Sequence, residues 1–286
     1  MTSRQSIQLS TLTIAYLEWG AAGLPPVLLL HGLADHARVW QSLGETLSDR
    51  FHLIAPDLPG HGDSIKPDRG YDSAKIIAVL EDLMDHLGWK SAHILGHSWT
   101  GKIACIWATH HPNRFRSMVI VDPIFVYGWP SLLRITFPLF YKLLPFLQGM
   151  GPFETHEAAI AQAKTLKQYR AWTPWQQQIF EESIEAKPDG TWSSKFSIAA
   201  RNGIFDDVLR VSGLVRPVDV PTLLIQPERG VNCFDWQLKP YRRYLTDLKI
   251  QPVPSHHWAF LTDAEPFNRA VSEFLMAHSQ DKPPKG

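Results

Sequence analysis

Residues 94–108 read ILGHSWTGKIACIWA and contain the change from strand to helix on which the fold prediction rests. The apolar run from Ala92 to Leu95 has the length of a strand that is buried on both faces. Gly96 ends that run, and an apolar segment typical of a buried helix begins after Gly101. Ser98 lies between the two elements, so a tight turn would raise its hydroxyl above the carboxyl end of the strand.

Similar short apolar runs occur along the rest of the chain and end where polar residues begin. Between two of them, from Ile76 to Leu87, apolar residues recur at helical spacing, and Gly88 follows as a C-terminal stop. Strands that alternate with helices predict βαβ units and a mostly parallel, doubly wound α/β sheet. The other predicted strands lie at 9–19, 27–30, 51–55, 118–121, 222–226 and 248–253.

The alternation breaks between residues 125 and 205. Fifteen of these 81 residues are aromatic, against 17 of the other 205, and no clear strand is predicted among them. We therefore expect a helical cap at 125–205, a core domain made of 1–124 and 206–279, and a disordered tail at 280–286. The cap aromatics would either pack the cap onto the core or line an apolar pocket; they include Trp129, Phe137, Phe140, Tyr141, Phe146, Trp172, Trp175 and Phe180.

The composition argues against several classes of protein. Lys plus Arg and Asp plus Glu each number 28, so no global field would attract nucleic acid or an acidic membrane. No run reaches the roughly 18 apolar residues of a membrane span, and residues 1–13 lack the apolar stretch of a signal peptide. Cys105 and Cys233 lack metal-binding spacing and are expected to be reduced. We expect a cytoplasmic protein that acts on a small molecule without a metal or organic cofactor; the oligomeric state is not predicted.

A base is needed if Ser98 is to act as a nucleophile, because a serine hydroxyl is weak at its own pKa. Of the 13 histidines, His257 follows a late predicted strand and precedes a predicted terminal helix, and His256 is its adjacent competitor. Ser98 could instead be only the N-cap of the helix that follows it. The sequence thus predicts a Ser98–His257 pair and leaves the purely structural interpretation open.

These residues resemble the α/β-hydrolase superfamily over residues 9–274. The turn GHSWT is similar to its Gly-x-Ser-x-Gly nucleophile elbow, except that Thr100 stands where glycine is commoner. The resemblance implies an α/β-hydrolase fold with a helical cap inserted after the sixth strand. It also implies Ser98 as nucleophile and His257 as base, with His256 standing where these proteins usually have glycine.

The same resemblance implies an oxyanion hole. The loop after the strand at 27–30 contains His31-Gly32 and would supply the backbone N–H of Leu33, with the N–H of Trp99 as second donor. Each such donor typically lowers the barrier by about 3 kcal/mol. The motif DLPGHGDS at 57–64 is expected to support the fold more than the chemistry.

The acid that orients His257 is displaced from its usual position. Most members of the superfamily have an Asp in the loop after the strand at 222–226, but this chain has Gly230 there. The haloalkane dehalogenases and their relatives have this acid after an earlier strand, the one that follows the nucleophile helix. Asp122 follows the corresponding strand here, and it lies the same distance beyond Ser98 as their acid lies beyond their nucleophile. Asp122 is therefore the predicted acid and Glu228 the alternative. Asp122 could instead be only a turn former, and Glu228 only an ion-pair partner.

The resemblance implies a carboxylic-ester hydrolase that acts on a small apolar substrate. Dehalogenation is disfavoured because Ser98, unlike an aspartate nucleophile, would form an ether that has no carbonyl for water to attack. Four alternatives stay open: a C–C bond hydrolase, an amidase, a thioesterase, and a ligand-binding protein without activity.

Overall fold

The computed structural model describes residues 4–127 and 150–279, and ten strands lie in these ranges. In chain order they are β1 (Gln5–Gln8), β2 (Thr13–Trp19), β3 (Pro26–Leu30), β4 (His52–Pro56), β5 (Ala92–His97), β6 (Phe115–Val121), β7 (Ile184–Ala186), β8 (Trp192–Ser194), β9 (Thr222–Arg229) and β10 (Leu248–His256). Eight of them form one sheet in the order β1-β2-β4-β3-β5-β6-β9-β10. The first two pairings in this order are antiparallel and the remaining five are parallel. The predicted α/β fold with a mostly parallel sheet is confirmed.

Helices flank this sheet on both faces. Alternate residues of a strand point to opposite faces, and β3 shows this: Leu28 and Leu30 belong to one hydrophobic core, whereas Val27 and Leu29 belong to a second one on the other side. The helices are α1 (Gln41–Leu47), α2 (Ser73–His86), α3 (Trp99–His110), α4 (His156–Ala163), α5 (Pro174–Ser183), α6 (Ile198–Arg210), α7 (Asp235–Tyr244), α8 (Ala259–Thr262) and α9 (Ala264–Ala277). None of these helices is long and apolar enough to cross a membrane.

Two strand predictions differ from the structure. The run predicted at 9–19 is a strand only from Thr13, and the Leu9 N–H donates to the Leu12 carbonyl oxygen in the turn before it. Strand β1 was not predicted because its sequence, QSIQ, is polar and mostly exposed at the edge of the sheet.

The region predicted as an all-helical cap also contains the hairpin β7–β8, which is a correction to that prediction. Its turn reads Pro188-Asp189-Gly190, with Gly190 at φ +85°, a conformation that glycine adopts without strain. The flanking strands have only three residues each, too few for a period-two pattern to be recognised.

Of the aromatic cap residues, Trp172, Trp175 and Phe180 pack with the second hydrophobic core. This contact favours a packing role for them. Residues 128–149 and 280–286 lie outside the described part of the chain, so five of the eight predicted cap aromatics and the predicted tail do too.

Polar contacts join α5 to the core beside the N-terminal strand. Glu182 accepts hydrogen bonds from Arg4 and Arg38, at 2.9 and 3.1 Å. The ring Nε2 of His36 lies 2.9 Å from the carbonyl oxygen of Ile179. These contacts hold part of the predicted cap next to the loop that follows β3.

Candidate active site

Ser98 forms the tight turn between β5 and α3. Its backbone has φ +57° and ψ −117°, a strained conformation for a residue with a side chain. The turn is held because the Ser98 N–H donates to the Val121 carbonyl oxygen at 3.0 Å and the Ile124 N–H donates to the Ser98 carbonyl oxygen at 3.2 Å. The Ser98 side chain makes no capping hydrogen bond to α3, so a simple N-cap role does not account for it.

The turn is tight enough to require glycine at two flanking positions. A Cβ at Gly96 would lie 2.5 Å from the Thr100 carbonyl oxygen, and one at Gly101 would lie 2.9 Å from the Pro123 Cβ. Thr100 is accommodated because its buried hydroxyl lies 3.0 Å from the Leu30 carbonyl oxygen and accepts the His97 N–H at 2.9 Å. The departure from the usual glycine therefore adds a link between the end of β3 and the turn.

Asp122 and His257 meet at the carboxyl ends of β6 and β10. The Nδ1 of His257 lies 2.6 Å from Oδ2 of Asp122, whose side chain is fully buried. Because a carboxylate only accepts, Nδ1 carries the proton in this contact and Nε2 of a neutral ring is left as an acceptor.

Further donors surround the Asp122 carboxylate. Val231 N–H donates to Oδ2 at 2.7 Å, while the backbone and side-chain amides of Asn232 donate to Oδ1 at 3.0 and 2.9 Å. Burial by itself raises the pKa of Asp122, but the bond to His257 and these amides outweigh it and leave that pKa below the ordinary value. Asn232 was not predicted as a site residue, because nothing in its neighbours indicates a contact with a residue 110 positions away.

The alternative acid, Glu228, lies elsewhere. Its side chain is exposed at the end of β9, and the structure brings Asp122 rather than Glu228 to His257. Gly230, which occupies the usual acid position, packs directly against the Asp122 carboxylate. His256, the alternative base, is partly exposed, and its Nδ1 has no hydrogen-bond partner among the described residues.

His97 links the turn at Ser98 to the loop of His257. Its Nε2 lies 3.0 Å from the His257 carbonyl oxygen, and the two rings are 4.5 Å apart at their centroids. Burial lowers the pKa of His97 well below the ordinary value, so its ring is neutral and Nε2 is the donor of this bond. No role was predicted for His97 from the sequence.

The two predicted oxyanion donors lie on different elements. Trp99 is the first residue of α3, where the backbone N–H has no intrahelical acceptor. Leu33 lies in the loop after β3, which His31 stabilises from within the core. His31 Nδ1 donates to the Gly32 carbonyl oxygen at 2.8 Å, and its Nε2 accepts the Leu58 N–H at 3.0 Å. Burial lowers the pKa of His31 to about 4, which keeps the ring in the neutral form that these bonds require.

The DLPGHGDS motif supports this loop through hydrogen bonds that do not involve Ser98. The Asp57 carboxylate accepts the N–H of Ala37 at 2.7 Å and of Asp63 at 2.8 Å. The Ser64 hydroxyl in turn accepts the Ala15 N–H at 2.8 Å. These contacts fit the structural role that was expected for the motif.

Comparison with known proteins agrees with this architecture. Residues 25–264 match a family model described as alpha/beta hydrolase fold. A serine hydrolase-like protein of Danio rerio is 33% identical over 283 residues, which covers 92% of this chain and 85% of that protein.

Two further relatives match over shorter regions. A soluble epoxide hydrolase of Corynebacterium sp. (strain C12) is 33% identical over 132 residues, 44% of each protein. A haloalkane dehalogenase of Bradyrhizobium diazoefficiens is 32% identical over 110 residues, 38% of this chain and 36% of that protein. The chain therefore aligns with less than half the length of either enzyme.

The fold also matches that of solved structures. The crystal structure of E-2-(acetamidomethylene)succinate hydrolase superposes with a TM-score of 0.77 over 96% of this chain and 100% of that chain, at 23% identity. At this identity the likeness concerns the fold alone. The family match over most of the chain and the nearly full-length relative together show that this protein belongs to the α/β-hydrolase fold family.

Proposed function

We propose that this protein is a serine hydrolase of carboxylic esters, with Ser98, Asp122 and His257 as its catalytic triad. The observation that carries the proposal is the 2.6 Å contact between His257 Nδ1 and Asp122 Oδ2. In a neutral ring, a proton held on Nδ1 in this way leaves Nε2 unprotonated, which is the form a general base requires.

In the proposed reaction, Ser98 Oγ attacks the acyl carbon while His257 Nε2 takes its proton. The backbone N–H groups of Leu33 and Trp99 stabilise the oxyanion of the tetrahedral intermediate. The ester C–O bond then breaks, His257 returns the proton to the leaving alkoxide, and the acyl group remains on Ser98. Water attacks this second ester with His257 as base, so that the acid is released and the serine is regenerated.

Asp122 stays ionised throughout this cycle. Its lowered pKa, caused against the effect of burial by His257 and the amides of Val231 and Asn232, supports that role. The negative charge stabilises the imidazolium that forms when His257 accepts the serine proton.

The chemistry of the serine favours an acyl substrate over those named for two of the relatives, the epoxide hydrolase and the haloalkane dehalogenase. Attack of Ser98 on an epoxide or alkyl halide would give an alkyl ether of serine. Water has no carbonyl carbon to attack in such an ether, so turnover would stop after one event. An ester gives an acyl-enzyme that water can open.

We further propose that residues 125–205 form a cap over the site and that the substrate is small and largely apolar. In support, Phe180 of α5 and Leu166 line a cavity together with Leu33 and Trp258, next to the proposed oxyanion donor and base.

Hydrolysis of a C–C bond, an amide or a thioester would use the same triad, and a binding protein without activity would use none of it.

A fluorophosphonate probe tests the proposal, followed by peptide mass mapping and a p-nitrophenyl ester series of increasing chain length. We expect labelling at Ser98, ester turnover, and loss of both in Ser98→Ala. The exposed serine variant Ser10→Ala should behave as wild type. Absence of labelling and of turnover in the folded protein would contradict the proposal and favour the binding-protein alternative.

A further inference from the structure

The ring of His97 lies where three parts of the proposed site meet. His97 is the last residue of β5 and directly precedes Ser98. One end of its ring contacts the loop of His257, and the other end packs against Gly32, which precedes the proposed oxyanion donor Leu33. A single buried side chain thus contacts both loops that must be aligned with the serine.

The bond to the loop of His257 fixes a part of the proposed base that Asp122 does not hold. His257 and Trp258 are the two residues between β10 and α8. Asp122 binds the His257 ring at Nδ1, and a ring that is held at one atom can still pivot about that bond. The Nε2–H of His97 donates to the His257 carbonyl oxygen at 3.0 Å and so holds the backbone that carries the ring. The two contacts together restrict the position of His257 Nε2.

The contact with the oxyanion loop is close enough to determine the residue at position 32. A Cβ built on Gly32 would lie 2.4 Å from His97 Nδ1, which is shorter than the contacts that real Cβ atoms make. The backbone of Gly32 is outside the left-handed region, so the lack of a side chain follows from packing, chiefly against the His97 ring. The ring therefore sets how closely the loop after β3 approaches the turn at Ser98.

His97 can position these loops because its own place is fixed. It is 1% exposed, and its ring packs edge to face with that of Phe260 in α8, with the centroids 4.7 Å apart. Its backbone N–H donates to the Thr100 hydroxyl at 2.9 Å, which ties it to the start of α3. Burial keeps the pKa of His97 well below the ordinary value, so the ring stays neutral. A charge on this ring, 4.5 Å from that of His257, would oppose the formation of the His257 imidazolium.

We propose that His97 is a positioning residue, which aligns the His257 base and the Leu33 N–H with the Ser98 hydroxyl. The assignment rests on the serine hydrolase function proposed above and adds to the triad a fourth side chain that does not touch the reacting atoms. A displacement of about 1 Å in such an arrangement can lower the rate about 100-fold. Loss of the His97 contacts should therefore lower kcat far more than it changes KM.

His97→Met and His97→Gln form the matched pair that tests the hydrogen bond to His257. The two new side chains have almost the same shape, but only glutamine carries an N–H donor. We expect His97→Met to lower kcat about 100-fold with KM within about threefold of wild type, and His97→Gln to recover about tenfold or more of that loss. Steady-state ester hydrolysis measures both. The rates are expressed per active site, counted by complete titration with a fluorophosphonate, so that a loss of folded protein does not contribute.

His93→Met is the control, because His93 is also a buried histidine of β5, and its Nδ1 lies 2.8 Å from the Ser117 hydroxyl. It should lower the free energy of unfolding and leave kcat per active site at the wild-type level. Equal kcat in His97→Met and His97→Gln overturns the proposal. A loss in kcat that disappears once the active sites are counted also overturns it, because the role of His97 would then be structural only.

Gly32→Ala tests the contact with the oxyanion loop. The added methyl group should push the loop away from the His97 ring and lower kcat about tenfold or more. In a His97→Ala background the ring is absent, so the same substitution should lower kcat by less than about threefold. Losses that simply multiply would mean that the ring does not set the position of the loop, and they overturn this part of the proposal.

A measurement without turnover separates this proposal from the proposed activity. NMR of protein that contains isotope-labelled histidine follows the Nδ1 proton of His257, which is bound by Asp122. We expect His97→Met to speed the exchange of this proton with water about tenfold or more, and His97→Gln to slow it again. That result supports the positioning role even if no ester is hydrolysed, in which case the ester hydrolase function fails alone. Wild-type exchange in His97→Met overturns the positioning role and leaves the ester hydrolase function to its own test.

Discussion

The Asp122 carboxylate occupies the space beside Gly230 that any side chain at position 230 would need. A Cβ built on Gly230 would lie 2.3 Å from Oδ2 of Asp122, the oxygen that contacts His257. An acid at the end of β6 and a side chain at position 230 are therefore mutually exclusive in this backbone. The glycine at the usual acid position and the displaced acid belong to one arrangement.

Gly230→Ala should disturb this arrangement through sterics alone, because the backbone of Gly230 is not in the left-handed region. We expect a loss of about 1–3 kcal/mol in the free energy of unfolding and a drop in kcat of about tenfold or more as Asp122 shifts from His257. Urea denaturation and steady-state kinetics measure both. In an Asp122→Gly background the same alanine should cost less than about 1 kcal/mol, so additive effects would contradict the steric explanation.

Asp122→Asn should lower kcat by about 10⁴-fold, since the amide would favour the wrong tautomer of His257. Glu228→Gln, at an exposed position, is the matched control and should stay within about twofold of wild type. Ester hydrolysis at saturating substrate measures both variants. Small and equal losses would show that Asp122 is not the acid of the triad.

Thr100→Val should destabilise the protein by about 1–3 kcal/mol, because it removes the buried hydroxyl that bonds to the ends of β3 and β5. Thr100→Ser retains the hydroxyl and should restore most of that loss. The free energy of unfolding from urea titration distinguishes the two variants. If valine and serine give equal stability, the hydroxyl contributes nothing to the turn.

The burial of Lys102 should make the stability of the protein depend on pH. It is buried in α3, its Nζ donates to the Val208 carbonyl oxygen in α6 at 2.6 Å, and burial lowers its pKa to about 8. A lysine in the unfolded chain has a pKa of about 10.4. Between these two pKa values the unfolded chain binds more protons than the folded protein, so the free energy of unfolding rises with pH. The free energy of unfolding of wild type relative to Lys102→Met should increase by roughly 2 kcal/mol from pH 7 to 10.

The control for this measurement is Lys75→Met, an exposed lysine of α2. Its difference from wild type should stay flat over the same pH range. A flat profile for Lys102→Met as well would mean that the folded protein does not depress the pKa of Lys102.

Short-range patterns predicted the elements that position the site. The strand, the turn at Ser98 and the helix after it appear in the structure as β5 and α3, because their periodicity and glycines are local features. Strand β1 and the hairpin β7–β8 were missed. Their residues are too polar or too few to produce such a pattern, and their pairing with a partner strand is what defines them.

The candidate site was only partly predictable for a related reason. The contact between Asp122 and His257 joins residues 135 positions apart, and the choice between Asp122 and Glu228 followed from a family resemblance, since local sequence distinguishes neither. Burial and hydrogen bonding separate the two in the structure. The catalytic roles of Ser98, Asp122 and His257 stay predictions until the variants are measured.

Residue types at short and regular spacings were enough to predict the alternation of strands and helices, the turn at Ser98 and the family. The contacts at the carboxyl edge of the sheet follow from the packing of the whole chain and not from these spacings: Asn232 bonds to Asp122, His97 bonds to the His257 backbone, and Asp35 lies 3.6 Å from His97. Such contacts depend on how loops that are distant in the chain pack against one another. Neither periodicity nor composition carries that information.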